Sequence, residues 1–315
     1  MKKNNLTVLL SALVFALMTS INARAYDFEQ DGIYYSLIGP AQVAVVAGDG
    51  GEGTYRGHVV IPGTVQHDNV SYTVTEIQDA FFKCPQLISI TIPPTITRLY
   101  WDAFLDAYLN RIIVQDLEAW CRINFVVDGC FARMDETDVE VGVHEMESDH
   151  DMVNLVIPSS ITDIHDFTFY KVSTIQSVEI PDHVSTVGKG AFFGCAQLKS
   201  LKIGSGVTSI GYCAFNTNYY LWWDFDDMCI IDDVTCLATT PPTLQSKDCF
   251  NNATYKHGTL HVPAQSIRAY CTDENWGRFE NILPIPAVNG DVNGDGLLDI
   301  ADVCSLIDLL LHPSL

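Results

Sequence analysis

A short acidic segment near residue 300 carries the side chains best suited to bind a metal ion. Oxygen-bearing residues stand at positions 1, 3, 5, 9 and 12 of a loop whose position 6 is Gly296. Carboxylate and amide oxygens at alternate positions can converge on a hard cation, and glycine permits the sharp turn between them. The predicted calcium ligands are Asp291, Asn293, Asp295, the backbone carbonyl of Leu297, Asp299 through a water molecule, and Asp302. Calcium is therefore the predicted cofactor.

An apolar stripe follows this loop. Val303, Leu306, Ile307 and Leu310 recur at i, i+3, i+4 and i+7, which places them on one face of a helix. Such a face needs a cover. We expect it to dock on the rest of the chain, to dimerise, or to bind another protein.

The body of the chain repeats with a period of 23 residues. Phe169, Phe192 and Phe215 are spaced by this period, as are the starts of three Ile-Pro or Ile-Gly pairs, at Ile157, Ile180 and Ile203. Two earlier pairs, Ala80-Phe81 and Ala103-Phe104, share the spacing. A period of this length predicts a solenoid, in which each unit buries its apolar face only against its neighbours. The fold class predicted is therefore mainly β, with the phenylalanines forming one interior spine.

Each repeat is predicted to contain two short strands and a tight corner. Around Leu201 the apolar residues alternate with Lys199, Ser200 and Lys202, which are therefore predicted to point outward. Pro181 ends the strand in its own repeat, since proline cannot donate to a sheet.

The predicted organisation has five parts. They are a signal peptide (1–25), a β-rich N-terminal cap (26–75), the repeats (76–236) with an excursion (116–153), a C-terminal cap (237–284) and the calcium module (285–315). Within the excursion we expect a short helix that buries Leu117, Trp120 and Cys121, then a hairpin or mobile loop over 134–151. In the C-terminal cap we expect a last strand over 259–263, a helix over 264–270, and Trp276 and Phe279 packed on the final coil.

The N-terminal segment predicts export. A basic start, an apolar run over 6–18 and the small residues around Arg24 form a signal peptide that is cut after Ala25. The apolar run is shorter than the roughly 20 residues that span a bilayer, so no membrane-spanning segment is predicted. Removal of this segment shifts the net charge from −22 to about −25, which excludes nucleic acid as a partner. The predicted localisation is secreted or at the cell surface.

Ten cysteines are scattered without metal-ligand spacing. Cys84 and Cys195 occupy equivalent repeat positions and are predicted to be buried in the repeats. Two pairs, Cys229 with Cys236 and Cys249 with Cys271, could form disulfides after export, and the pairing stays open.

Two further clusters are candidate binding sites. Aromatic residues at Tyr219, Tyr220, Trp222 and Trp223 form either cap core or an exposed ligand-binding patch. His144 and His150 lie in an acidic stretch that is either a weak metal site or a solvated loop. The sequence contains no Gly-x-Ser-x-Gly elbow and no paired-carboxylate signature, so no enzyme is predicted.

The unit over 180–203 resembles the BspA-like leucine-rich repeat family, whose members are surface and secreted proteins of anaerobic bacteria and some protists; the resemblance spans 26–284. It implies a right-handed array, adhesion or host-protein binding, and no family-wide catalytic residue. Residues 290–310 resemble a dockerin repeat, where position 12 is aspartate. A full dockerin carries two such repeats and this sequence shows one.

Together these features predict a secreted or surface-exposed, non-enzymatic protein. Its repeat surface would recognise a protein or glycan, and its calcium-dependent C-terminal module would attach it to a protein partner. The alternative is an accessory carbohydrate-binding component of a polysaccharide-degrading assembly. The two differ in whether the repeats bind glycan.

Overall fold

The computed structural model describes residues 26–49, 53–104, 107, 109, 111–126, 145–147, 152–218, 229–285 and 300–311. The predicted signal peptide and most of the predicted calcium module therefore lie outside the described residues. The described part is mainly β, with four largely parallel sheets and few helices, as predicted. None of its helices has the length and apolar run that a membrane crossing needs.

Two sheets of seven and four strands form the N-terminal half. Their strands are β1 Phe28–Gln30, β2 Ile33–Gly39, β3 Gln42–Val46, β4 Gly57–Val60, β5 Thr64–His67, β6 Val70–Ile77, β7 Leu87–Ile92, β8 Arg98–Tyr100, β9 Arg111–Val114, β10 Asn124–Val126 and β11 Glu145–Glu147. Two sheets of six and four strands form the C-terminal half. Their strands are β12 Asn154–Val156, β13 Asp163–Ile164, β14 Ser177–Ile180, β15 Thr186–Val187, β16 Ser200–Ile203, β17 Ser209–Ile210, β18 Asp233–Cys236, β19 Thr243–Leu244, β20 Thr259–Val262 and β21 Asn281–Pro284.

The helices of the described residues are short, apart from the last. They are α1 Leu117–Cys121, α2 Asn252–His257, α3 Ile267–Thr272 and α4 Ile300–Leu311, with 3-10 turns at Trp101–Phe104, Ala264–Ser266 and Trp276–Arg278.

The N-terminal cap combines antiparallel and parallel pairing. Strands β1, β2 and β3 form an antiparallel meander, and β5 and β6 form a hairpin. Strand β3 then pairs with β6 in parallel, which joins the cap to the repeats. Alternating apolar residues over 33–37, 43–46, 58–61 and 72–74 predict β2, β3, β4 and β6. They do not predict β1 and β5, which are only three and four residues long.

Parallel pairing among the first three repeats of the C-terminal half follows the 23-residue period. Ser177 of β14 lies opposite Asn154 of β12 on one side and Ser200 of β16 on the other, each 23 residues away in sequence. The phenylalanines stack accordingly. The ring centroids of Phe169 and Phe192 are 5.2 Å apart, and those of Phe192 and Phe215 are 5.4 Å apart. The predicted interior spine is therefore present in this half.

The junction between the halves interrupts the sheets and leaves the core continuous. Helix α1 buries Leu117, Trp120 and Cys121, as predicted, and Asp116 caps it by accepting from the amide of Ala119. The indole Nε1 of Trp120 donates to the carbonyl of Thr168 at 2.9 Å in the next repeat. This bond and the shared apolar core connect the halves where no strand does.

The excursion is only partly a loop. Residues 145–147, predicted to lie in a hairpin or mobile loop, form strand β11, which adds to the edge of β9 in parallel. The free backbone groups of β9 explain the pairing, since an edge strand is a template for another strand. His144 and His150 lie outside the described residues.

The array extends further than predicted at its C-terminal end. Strand β20 was expected to be the last, yet β21 pairs with it in parallel. The amide of Ile285 donates to Val262, so the alternation of a strand turns the nitrogen of Pro284 toward the outer edge. Proline has no N–H to offer there, which protects the edge.

Trp276 and Phe279 pack in the C-terminal cap, as predicted. Both are buried, and their ring centroids lie 5.7 Å and 5.3 Å from that of Phe250. The indole Nε1 of Trp276 donates to the carbonyl of Pro242 at 2.7 Å, which satisfies the one polar group of a fully buried side chain.

The described cysteines are free thiols, so neither proposed disulfide is present. Cys236 is buried and accepts from the hydroxyl of Tyr270 at 3.1 Å, whereas Cys271 is exposed on α3. Burial raises the pKa of the Cys195 thiol to about 12. A thiol with this pKa is an inert core group at neutral pH.

One carboxylate on the smaller C-terminal sheet is held by three hydroxyls. Asp163 of β13 accepts from Thr186 at 2.6 Å, Ser185 at 2.7 Å and Thr162 at 2.9 Å. These hydrogen bonds, that from Thr186 first, hold the pKa of Asp163 below its ordinary value. They favour the ionised form and tie the first repeat of this half to the second.

We expect Asp163→Asn to lower the free energy of unfolding by about 1 kcal/mol at neutral pH. A lowered folded-state pKa contributes stability above the unfolded-state pKa of about 3.9, and that contribution is lost as the pH falls through the folded-state value. The gap between variant and wild type should therefore close in acid. Urea unfolding of both proteins across this range measures it. A gap that is the same at every pH would contradict the role of the charge.

Candidate interaction surface

The six-stranded sheet has a regular outer face formed by six parallel strands. Side chains alternate along each strand, so Leu201 and Ile203 of β16 are buried while Ser200 is exposed and Lys202 partly exposed. Because the strands are paired in parallel and in register, the same alternation of buried and outward side chains occurs in every strand. The outward side chains therefore form two rows across the sheet. The polar row consists of Asn154, Ser177, Ser200, Asp233, Thr259 and Asn281. The mixed row consists of Val156, Glu179, Lys202, Thr235, His261 and Leu283.

This face carries little net charge. Lys202 is the one lysine or arginine of the two rows, and its Nζ lies 3.0 Å from Oε1 of Glu179 on the neighbouring strand. A half-exposed pair of this kind adds little stability, yet it neutralises both charges locally. Asp233 remains the one further ionised carboxylate of the two rows. The face is therefore close to neutral on a chain with a net charge of −22.

The residues predicted to point outward do so, but most of the other outward residues of this face were not predicted from the sequence. Lys199 and Ser200 are exposed and Lys202 is partly exposed. The other members of the rows can be identified as outward positions only when all repeats are aligned on their buried residues. The last three strands, β18, β20 and β21, do not keep the 23-residue period, so periodicity alone could not assign Asp233, Thr259 or Asn281.

A buried amide holds both ends of the segment that contains the aromatic candidates. Asn251 Nδ2 donates to Asn218 Oδ1 at 3.0 Å and to the carbonyl of Cys229 at 2.7 Å. It also lies 2.9 Å from Thr217 Oγ1, which in turn donates to the carbonyl of Cys229. Tyr219, Tyr220, Trp222 and Trp223 themselves lie outside the described residues. The residues on either side of that segment, Asn218 and Cys229, are both bonded to Asn251, a contact that was not predicted from the sequence.

One predicted calcium ligand lies in the described part of the chain. Residues Asp291, Asn293, Asp295, Leu297 and Asp299 lie outside it. Helix α4 begins at Ile300, which is position 10 of the predicted loop, so position 12 falls in its first turn. Asp302 at that position is 3% exposed, while most other described side chains of α4 are exposed. The role of Asp302 as a calcium ligand stays a prediction.

The apolar stripe of α4 is open to solvent where it is described. Val303, Leu306 and Ile307 are each about half exposed. The side chain of Leu310 lies outside the described residues. Of the expected covers, docking on the repeats is therefore not seen for these three side chains.

No cluster of three or more metal-binding side chains occurs within the described ranges, which exclude the predicted calcium loop.

Residues 64–134 and 142–222 match the profile of the BspA type leucine rich repeat region in six copies. No curated protein matches the sequence.

Three solved structures illustrate what the chain is similar to. A leucine-rich cell surface protein from Faecalibacterium prausnitzii is 15% identical, with 86% of this chain and 97% of that chain covered and a TM-score of 0.30. A leucine-rich repeat protein from Bacteroides ovatus is 13% identical, with 82% and 76% covered and a TM-score of 0.31. A leucine-rich repeat protein from T. pallidum is 16% identical, with 90% and 95% covered and a TM-score of 0.29. Over residues 64–134 and 142–222, slightly less than half of its length, the chain is similar to the BspA-type leucine-rich repeat family.

Proposed function

We propose that this chain is a secreted or cell-surface protein that binds a protein or glycan through its repeats and performs no catalysis. Its repeats would stack as one solenoid, with residues 1–25 acting as the signal for export. The observation that carries the proposal is the pair of outward rows on the six-stranded sheet, backed by an interior filled with apolar side chains. A filled interior leaves the outer surface as the place for recognition.

Binding and retention tests address this proposal directly. The protein without residues 1–25, immobilised and offered a glycan array and purified extracellular proteins, should retain at least one ligand. Turnover of a polysaccharide or peptide that a single substitution abolishes would contradict the non-enzymatic assignment.

The C-terminal module is proposed to be a calcium-ordered attachment device. Its ligands would be Asp291, Asn293, Asp295, the Leu297 carbonyl, Asp299 and Asp302, which supply oxygen atoms alone, as calcium prefers. Bound calcium would neutralise these carboxylates and fix the start of α4. The exposed stripe at Val303, Leu306, Ile307 and Leu310 would then be presented to a protein partner.

Calcium is expected to protect the C-terminal 25 or so residues from proteolysis. Asp302→Asn removes one charged ligand and should weaken calcium binding at least tenfold, or by about 1.4 kcal/mol. Asp308→Asn, the same change six residues later and outside the loop spacing, is the matched control. Calorimetric titration with calcium alone and proteolysis with calcium or chelator measure both effects. Equal cleavage in calcium and in chelator would reject the module.

A second function is favoured by the resemblance of residues 290–310 to a dockerin repeat. The chain would then be an accessory component of a polysaccharide-degrading assembly, with the repeats, or Tyr219, Tyr220, Trp222 and Trp223, meeting carbohydrate. Retention on glycan together with capture of a protein by α4 would favour it. Capture of protein ligands by the repeats alone would favour the first function.

A further inference from the structure

We propose that the outer face of the six-stranded sheet binds an extended, uncharged polysaccharide chain that runs across the strands. This inference rests on the proposed binding function and specifies its ligand class and its surface. Three properties of the face favour such a ligand: its charge, its hydrogen-bonding groups and its size.

The charge of the face excludes ionic recognition. Lys202 is paired with Glu179 at 3.0 Å, which leaves Asp233 as the one further carboxylate in the two rows. The chain as a whole carries −22. A uronic-acid or sulfated polymer would be repelled by the protein and would find no free cation on this face. A neutral polymer meets no such penalty, and the carboxylate of Asp233 can accept from sugar hydroxyls.

The polar row supplies hydrogen-bonding groups at a regular interval. Neighbouring strands are about 4.8 Å apart, so each strand offers one hydroxyl, amide or carboxylate per step of that size. Ser200, Thr259 and Asn281 have no side-chain hydrogen bond to any described residue, so they are available to a ligand. Sugar hydroxyls both donate and accept, which matches these groups. The repeat of a sugar ring in an extended chain is comparable to the strand spacing, so successive rings would meet successive strands.

The size of the face suits a linear polymer better than a globular partner. Six strands of three or four residues cover about 24 Å across the strands and about 13 Å along them. That is roughly 300 Å², whereas a stable protein interface needs about 800 Å² from each partner. A polysaccharide lying along the polar row would use the whole length of the face.

Two arginine substitutions in the same repeat test the inference. Ser200→Arg places a long cationic side chain in the middle of the polar row, and Ser209→Arg makes the same change on β17 of the other sheet. Each protein is run by affinity electrophoresis through gels that contain galactomannan, mixed-linkage β-glucan, xylan or polygalacturonate. We expect wild type to be retarded by at least one neutral polymer and not by polygalacturonate. Ser200→Arg should weaken that retardation at least tenfold, and Ser209→Arg should leave it within twofold.

Equal thermal unfolding midpoints for the two variants establish that folding is not the cause. If none of the neutral polymers retards the wild type, the inference is overturned. Retardation that survives Ser200→Arg shows that the ligand binds elsewhere and also overturns it. Binding of a purified protein that Ser200→Arg abolishes, without any glycan binding, would overturn the polysaccharide and leave the proposed binding function standing. If neither glycans nor proteins bind, both proposals fail.

Discussion

Phe192→Ala is expected to lower the free energy of unfolding by about 3–5 kcal/mol. Phe192 is fully buried, and its ring lies between those of Phe169 and Phe215 at nearly parallel angles of 15° and 11°. Truncation removes a ring that two neighbours contact, and each neighbour belongs to a different repeat. The cavity therefore opens at the interface between repeats, where a stacked array obtains much of its stability.

Urea unfolding followed by circular dichroism measures this loss. Phe192→Leu keeps much of the apolar volume and should cost clearly less, while the exposed Ser200→Ala should change stability by no more than about 0.5 kcal/mol. The double variant with Phe215→Ala should be non-additive because the two rings are in contact. A loss below about 1 kcal/mol for Phe192→Ala would mean that the repeats do not depend on the stack.

The aromatic stack was predictable because its residues are repeated at a fixed spacing. Phe169, Phe192 and Phe215 share one environment, and a periodic backbone imposes that environment three times. Helix α1 was predictable for a similar local reason, since its apolar residues lie on one helical face after the capping residue Asp116. Both depend on contacts that the sequence encodes within one repeat or one turn.

The ends of the array were less predictable because their contacts are unique. Strand β21 pairs with β20 after an intervening α3 and two 3-10 turns, so no repeat in the sequence predicts it. Strand β11 pairs with β9, from which it is separated by 30 residues of non-repeating sequence. Nothing in the local sequence around Glu145 predicts this pairing. The candidate site shows the same division. The row members on β12, β14 and β16 follow from the 23-residue repeat. Those on β18, β20 and β21, like the contacts of Asn251 with Asn218 and Cys229, depend on the fold.

Asn251→Asp is expected to lower the free energy of unfolding by about 3–5 kcal/mol, because it leaves an uncompensated buried charge. Asn251 is 2% exposed, and it has two roles. Its Oδ1 accepts from the amide of Thr254 at 2.8 Å and caps α2, while its Nδ2 faces the carbonyl of Cys229 and Oδ1 of Asn218. Aspartate keeps the cap, since it is as good a capping residue as asparagine. It loses the donor and places a carboxylate against acceptors.

The matched control is Asn252→Asp, the same change at the next residue, which is exposed at the start of α2. A negative charge there is favoured by the helix dipole, so stability should change by no more than about 0.5 kcal/mol. Burial would raise the pKa of the new carboxyl at 251. The loss in free energy of unfolding should therefore be largest at pH values above that raised pKa. It should become smaller as the pH falls from there toward the ordinary pKa of about 3.9. Urea unfolding from neutral to acid pH checks this sign.

Asn251→Asp also tests whether Asn251 only caps α2 or also holds Asn218 and Cys229 together. If Asn251 acted only on α2, Asn251→Asp and Asn252→Asp would unfold alike and would be cleaved alike by protease. If it holds Asn218 and Cys229 together, Asn251→Asp should be cut faster between residues 218 and 229 under conditions where the rest of the chain stays folded. Faster cleavage there with unchanged cutting elsewhere would therefore link a single buried amide to the segment that contains the aromatic candidates Tyr219 to Trp223.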